Sequence, residues 1–307
     1  MTRPDSARRP HAIALSPPAK AISVIVPIYN DWHLVPTLLD RLGAQHCPQQ
    51  DFEVLLTDNG SDSIPPLPDL PANARILHCE HPGSYAARNH AIAHARGRIL
   101  AFTDADCRPS PHWLSSARRL IEDDPRGELI IAGAVRIVPA DTGHPNTFEL
   151  FDMALGIPQQ RYARLGFGVT ANLFVTRDVV LRVGGFDAAR FSGGDAELCH
   201  RATANGVRLV YHGPALVDHP ARSNWAEIAS KARRIKGGQI CTGSRRTRAG
   251  WALRSFVPPL VSWFKVLSAR QLTLAQRLAV CTLHGRLWVL GIHEMCLLLA
   301  GIKKPER

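Results

Sequence analysis

Two aspartates one residue apart, Asp104 and Asp106, close the apolar run Ile99-Leu100-Ala101-Phe102-Thr103 and are followed by Cys107, Arg108 and Pro109. Such a run, ending abruptly in carboxylates, reads as a buried strand leaving its sheet at the acids, and ligands of open α/β sheets gather at the carboxyl ends of strands. Carboxylate oxygens are hard donors suited to Mn²⁺ or Mg²⁺, which use one or two protein carboxylates and leave much of their octahedron to phosphate oxygens. The chemistry this suggests is neutralisation of a phosphate group through a divalent ion. Read structurally, the same pair is an acidic turn before a helix that begins near Pro111.

Two further polar clusters repeat the pattern. Asp58-Asn59-Gly60-Ser61-Asp62 follows the apolar run Phe52–Thr57, and its Asp-Asn-Gly is also a good Asx-turn sequence. Ser192-Gly193-Gly194-Asp195-Ala196-Glu197 sets two carboxylates where a helix begins, after glycines that permit close backbone approach. Asp195 in that place is by itself a sufficient helix N-cap.

The elements that must position these groups alternate in type. Ala21–Val26 is a β-branched run stopped by Pro27, and Asp31 stands as the cap of a helix carrying Leu34, Val35, Leu38, Leu39 and Leu42 on one face. Strands are predicted over 52–57, 75–79 and 98–103, with a Pro-rich loop over 64–71 and a helix over 84–95 opened by Pro82-Gly83. This alternation predicts a parallel sheet with right-handed crossovers. Farther on, 129–139 and 166–176 read as strands, 177–183 as a short helix ended by Gly184-Gly185, and 141–165 as a loop-rich stretch without assignment. Neither a G-x-x-x-x-G-K-[ST] loop nor a G-x-G-x-x-G turn follows the first strand, so a nucleotide would be held through acids and a metal.

Composition narrows the class further. With 307 residues, 45% apolar and 21% charged, the chain has the make-up of a globular protein. Residues 1–20 lack the apolar core of a secretory signal and read as a flexible lead-in, and the seven cysteines, scattered and without a C-x-x-C pair, read as reduced thiols of a cytosolic protein. The net charge of +11 calls for an anionic partner. Residues 221–254 hold nine Arg and Lys against Glu227 alone, and two apolar, aromatic stretches follow, 255–264 and 278–300. His284, Arg286, His293 and Glu294 disfavour a membrane span in the second. An amphipathic helix in the interface of an anionic membrane fits better, the alternative being a helical extension packed on the catalytic domain. RNA binding by the basic segment has thin support, since Trp225 and Trp251 are its only aromatic residues.

Four motifs carry a resemblance. VIVPIYN at 24–30, TDNGSDS at 57–63, GSYAARNHAIAHARGRILAFTDADC at 83–107, and GGFD followed by GGDAELCHR within 184–201 resemble family 2 glycosyltransferases of the A-type fold, over roughly residues 21–222. The resemblance implies an α/β catalytic domain with a central, mostly parallel sheet, preceded by the lead-in and followed by a basic and apolar helical region at 223–307. It implies that Asp58 binds the ribose or base of a nucleotide-diphospho-sugar, foremost a UDP-sugar, with Pro27 and Tyr29 lining that site and Arg88 and Asn89 close to the nucleotide. Asp104 and Asp106 match the metal-binding carboxylates, His219 a ligand that completes the shell in some members, and Asn172 a position facing the sugar. Asp195 matches the base of an inverting enzyme, with Glu197 as the other acid in reach. The chain departs from the family pattern with Asn59 where a second Asp is frequent and Gly194 where a Glu precedes the base. The implied activity is transfer to a saccharide or lipid-linked acceptor, in envelope or exported polysaccharide synthesis, at the cytoplasmic face of a membrane. A nucleotidyltransferase of related architecture would want a Gly-rich basic loop after the first strand, and VPIYNDWH supplies none.

Overall fold

The structure is a computed structural model that describes residues 20–65, 70–140, 143–190 and 192–306. Apart from Lys20, the expected lead-in lies outside the described residues, as does the middle of the Pro-rich loop. Eight strands, β1 (Lys20–Ile28), β2 (Phe52–Asp58), β3 (Ala74–His78), β4 (Gly97–Phe102), β5 (Arg108–Pro109), β6 (Leu129–Val138), β7 (Leu173–Thr176) and β8 (Arg208–Pro220), form one sheet in the order β3-β2-β1-β4-β7-β6-β8-β5. β1, β2, β3 and β4 are mutually parallel, β7 runs against both β4 and β6, and β8 is parallel to β6. The mostly parallel sheet is as expected, with β7 and β5 reversed.

Period-2 alternation sorts the side chains of β1 between two apolar layers. Ile22, Val24, Val26 and Ile28 face α1 (Val35–Gly43) and α3 (Trp113–Glu122), while Ile25 faces α2 (Ser84–His94), α6 (Arg177–Arg182) and α7 (Gly194–Ala204). Helices therefore cover both faces, and β2, buried along its whole length, has the continuous apolar character of a parallel strand. Pro27 does not end β1. Backbone groups of Ile25 face β4 and those of Ile28 face β2, so the missing N–H of Pro27 points to the β4 side, where β4 has already turned away at Phe102. No ladder bond is lost.

Three local expectations change. Asp31 makes no capping hydrogen bond; it precedes a 3-10 turn, Trp32–Leu34. Asp195 is not a cap either, because the N-cap of α7 is Gly193. The stretch 141–165 contains α4 (Thr147–Leu155), started by a capping box between Asn146 and Glu149, and α5 (Gln159–Arg164), while the strand expected over 166–176 shrinks to β7.

After β8 come α8 (Trp225–Cys241), α9 (Arg245–Ser255), α10 (Leu260–Leu267) and α11 (Leu274–Leu299). No helix among the described residues is long and apolar enough to cross a membrane. The 278–300 stretch does not lie free as an interfacial helix: α11 packs Val280, Leu283 and Leu287 against Leu150 and Phe151 of α4 and Ile228 of α8. Below them the buried carboxylate of Asp152 accepts from Arg222 at 2.9 Å and Lys231 at 3.4 Å, which ties α8 to α4. Burial and the neighbouring Arg222 charge push the Lys231 ammonium down to about 8 against the pull of Asp152.

Candidate active site

Asp104 and Asp106 leave the end of β4, where the apolar run placed them. The chain then turns, with the Cys107 amide donating to the Asp104 carbonyl, and pairs as β5 against β8 in the register Arg108↔Asp218. That register sets His219 opposite the turn, its Nε2 3.4 Å from Asp106 Oδ2. His219 Nδ1 is 2.8 Å from the Pro220 carbonyl, which only accepts, so the ring proton sits on Nδ1 and Nε2 faces the acids. Asp104, Asp106, Cys107 and His219 offer donor atoms within 4.8 Å of one another. Oδ1 of Asp106 is buried without a partner, and burial raises its carboxyl, with His219 opposing and Asp104 adding to the shift. Two carboxylates and an imidazole around an orphaned buried oxygen fit a hard divalent cation. Cys107 does not belong to that set: its thiol faces the Ala171 carbonyl at 3.7 Å, and burial holds it well above the usual thiol range.

A third acid was missed in the sequence. Asp31, freed from capping, has its carboxyl raised by burial and by Asp106 and Asp104, against the pull of His33, so it lies within electrostatic reach of the same acids.

Arg88 joins this group to the second acidic cluster. It is only 4% exposed, so it is no surface cation, and its Nη2 donates to Asp104 Oδ1 at 2.7 Å. Asp195 lies near both: burial raises that carboxyl, Arg88 opposes the rise and Asp104 adds to it. The Asp195 oxygens accept from Thr170 Oγ1 at 3.1 Å and Thr170 N at 3.4 Å. The Tyr85 hydroxyl accepts the Gly194 N–H at 3.0 Å, and burial pushes that phenol well above its ordinary value. Gly194 is dictated by this contact, since a Cβ there would stand 2.7 Å from the Tyr85 ring. Thr170 and Tyr85 were also missed; Tyr85 sits inside GSYAARN, where only the polar residues drew notice. Glu197 points elsewhere. Both of its oxygens take hydrogen bonds from Arg201, at 2.6 and 2.8 Å.

The loops after β1 and β2 make the third wall. Asp58 Oδ1 accepts from Trp32 Nε1 at 2.8 Å and Oδ2 from Gly60 N at 3.1 Å, so the Asx turn forms. Burial raises the Asp58 carboxyl, but hydrogen bonds from Ser61, Trp32 and Gly60 outweigh it and leave it below the usual range. Asn30, with φ 61°, clasps Asp62 through both ends of its amide and so locks the two loops together. Pro27 is half-buried beneath them and Tyr29 is exposed beside them.

Three asparagines are structural. Asn59 donates to the Cys79 and His81 carbonyls and accepts from Gly83 N, which an aspartate could not do. Asn89 grips the backbone of Phe186 with both amide ends, fixing the Gly184-Gly185 turn rather than facing open space. Asn172 corrects the expectation of a sugar contact. It is fully buried, donating to the Ala134 and Ala215 carbonyls and accepting from Trp113 Nε1. Gly133 makes room for it, because a Cβ there would lie 2.4 Å from its amide.

Comparisons with known proteins bear on the family and the fold. Residues 23–184 match the model of the family "Glycosyl transferase family 2". Glycosyltransferase AglE of Haloferax volcanii is 34% identical over 229 residues, 71% of this chain and 73% of that protein. The succinoglycan biosynthesis protein ExoM of Rhizobium meliloti is 27% identical over 230 residues, with the same two coverages. A pre-mycofactocin glycosyltransferase of Mycobacterium tuberculosis is 27% identical over 70% of this chain, which spans 46% of that longer protein. Among solved structures, a mannosyltransferase of Pyrobaculum calidifontis in complex with GDP-Man and Mn²⁺ superposes with a TM-score of 0.55 at 19% identity, covering 94% of this chain and 91% of the other. S. aureus TarS 1-349 with UDP-GlcNAc gives 0.52 at 16%, covering 92% of each chain. At such identities the likeness is one of fold.

Proposed function

The chain belongs to glycosyl transferase family 2 and is a glycosyltransferase, and we propose that it moves a sugar from a nucleotide-diphospho-sugar to an acceptor hydroxyl with inversion, using Asp195 as general base. The observation that carries this reading is the convergence of Asp104, Arg88 and Asp195: the buried guanidinium donates to Asp104, and Asp195, held on Thr170, feels the charges of both.

Each group has a task in that reaction. Asp195 accepts the acceptor's hydroxyl proton on a carboxylate oxygen as the acceptor oxygen forms its bond to the anomeric carbon. The bond to the nucleoside diphosphate breaks in the same displacement, and its electron pair leaves with the phosphate. One displacement inverts the centre and requires no covalent enzyme intermediate. The raised Asp195 carboxyl is a stronger base than an exposed aspartate, which suits proton transfer in the transition state. Asp104, Asp106 and His219 would hold Mn²⁺ or Mg²⁺, which when bound supplies Lewis-acid neutralisation of the leaving phosphates. Arg88 holds Asp104 in place and keeps Asp195 from protonating too readily. Asp58 and the Pro27–Tyr29 loop would line the nucleoside side, and Asn89 acts on the site only through Phe186.

The donor class draws support from the neighbours' GDP-Man and UDP-GlcNAc, with a UDP-sugar as the foremost candidate, and the metal from the neighbour's Mn²⁺. An acceptor in polysaccharide synthesis accords with the succinoglycan relative, and we place the reaction, with a saccharide or lipid-linked acceptor, at the cytoplasmic face of a membrane. The test is a thermal-shift series with UDP-, GDP- and dTDP-sugars, with and without Mn²⁺, on the wild type and Asp106→Asn. At least one donor should raise the melting temperature of the wild type only with Mn²⁺, and the shift should vanish in the variant. A metal-independent shift kept by Asp106→Asn would overturn the assignment of the acids.

A further inference from the structure

Residues 228–293 contain twelve Arg and Lys and not one Asp or Glu. Within them, α9 and α10 meet at Pro258-Pro259, and this corner exposes what a surface helix ordinarily buries. Leu253, Phe256 and Val257 project from the end of α9, and Leu260, Val261, Phe264 and Leu267 from α10, with Val261 79% and Phe264 74% exposed. The α10 positions follow i, i+1, i+4, i+7, a single apolar stripe, while Val266 on the opposite side is packed under Leu150 and Val280. Trp251 adds an aromatic side chain at the edge. Eight of the twenty exposed large apolar side chains among the described residues fall in these 17 positions.

We infer that the α9–α10 corner docks on an anionic lipid bilayer, its apolar stripe entering the acyl boundary and its arginines meeting the headgroups. Arg245 and Arg246 are exposed at the start of α9, Arg254 lies over Trp251, and Arg270 follows α10. Apolar side chains flanked by cations and free of carboxylates are what an interfacial helix needs. A polynucleotide would use the cations but has no apolar phase for Leu, Val and Phe. A second copy of this chain would bring a second carboxylate-free, positive surface against the first. The corner is not a span, and it is fixed to the catalytic half through α10 on α4 and the Asp152 ion pairs, so docking would hold that half at the lipid surface. This goes beyond the transfer reaction, and it stands whichever sugar is moved.

Sedimentation of the full chain with vesicles of equal parts phosphatidylglycerol and phosphatidylcholine, without donor or acceptor, tests it. The wild type should pellet with these vesicles but not with pure phosphatidylcholine, and should be released as salt rises toward molar, where screening acts within about 3 Å. Val261→Asp with Phe264→Asp should weaken binding on the order of a hundredfold, since two large side chains no longer enter the acyl region. Arg245→Glu with Arg246→Glu should weaken it on the order of tenfold or more. All four positions are exposed, so melting temperature and oligomeric state should match the wild type. Binding that persists in the Asp double variant, that ignores lipid charge, or that is absent in the wild type would overturn the inference, as would a dimer abolished by the same substitutions. Because no substrate is present, failure here is distinct from failure of the transferase reading.

Discussion

Asp195→Asn separates chemistry from architecture at the centre of the site. The cap of α7 is Gly193, so the substitution leaves the helix start untouched. Asn can still accept from Thr170 Oγ1, and what it puts at risk is the weaker bond from Thr170 N at 3.4 Å and the one from the Tyr85 hydroxyl, each a net term of about 0.5–1.5 kcal/mol. An opposing term comes from charge. Burial raises the Asp195 carboxyl in the folded protein, so the fold binds that proton more tightly than the unfolded chain does. Stability from this group is therefore greatest below the unfolded pKa and falls as pH climbs through the folded one. At neutral pH the ionised carboxylate is a burden that Asn removes. With both terms small and opposite, the melting temperature should move by no more than about 2–4 °C.

Turnover should respond very differently. A positioned base contributes about 10²–10⁴ in rate, or roughly 2.7–5.4 kcal/mol at about 1.36 kcal/mol per decade. With donor saturating, kcat for transfer of labelled sugar should fall by that factor while the donor KM stays within about twofold, the signature of an interaction made only in the transition state. The wild-type kcat/KM should fall on the acid side with a midpoint above the ordinary aspartate value of about 3.9, and that limb should disappear from whatever rate the variant retains. A folded Asp195→Asn protein turning over within about threefold of the wild type would refute the assignment, since general-base loss of that size is far below the expected range.

The other acids and close contacts predict separable outcomes. Glu197→Gln should keep turnover within about twofold in the same assay, with a stability loss of about 0.3–0.5 kcal/mol, because its carboxylate is committed to the i, i+4 pair with Arg201. Asn59→Asp removes donors to two carbonyls, so urea unfolding should show a loss on the order of 1–3 kcal/mol for each acceptor stranded in the interior. Gly194→Ala drives a Cβ into the Tyr85 ring and should cost about 1–3 kcal/mol by the same measurement, with turnover reduced because Asp195 shifts along with the first turn of α7.

The acids at strand ends were legible because two local signals coincide there: an apolar period that stops, and carboxylates that begin. Asp104, Asp106 and Asp58 fall where that rule puts them. Arg88 was legible as part of a motif but not as a buried residue, since nothing local distinguishes a guanidinium on an exposed helix from one clamped by Asp104 across 16 positions. Asn172 shows the converse error. The resemblance set it facing the sugar, and only the bulge at Gly133/Ala134, with Trp113 below it, reveals that its amide completes the interior of three elements. Asp31 was read as a cap by propensity, and the 3-10 turn that follows has no use for one. The packed side of 278–300, the alternative reading of that stretch, was hidden for a similar reason. Its apolar residues suffice for either surface, and which one they meet depends on α4, itself hidden in a stretch without a clear period.

The two halves of the site meet because β7 is reversed. Phe102 at the end of β4 pairs with Leu173 at the beginning of β7, so residues 170–172 stand beside residues 103–105, and Thr103 Oγ1 donates to the Ala171 carbonyl at 3.2 Å. Thr170 thereby carries Asp195 to the acids that β4 delivers. Had β7 run parallel to β4, its entry would lie at the other end of a six-residue strand, about 20 Å away at roughly 3.3 Å per residue. Thr170 would then be at the wrong edge of the sheet, and no side chain could restore the contact. The same logic places His219, which reaches Asp106 only because β5, two residues long, runs against β8. A wholly parallel sheet would gather its ligands from strand ends alone; two reversed strands let strand beginnings contribute, and those beginnings bring the Thr170-held Asp195 to Arg88 and its partner Asp104.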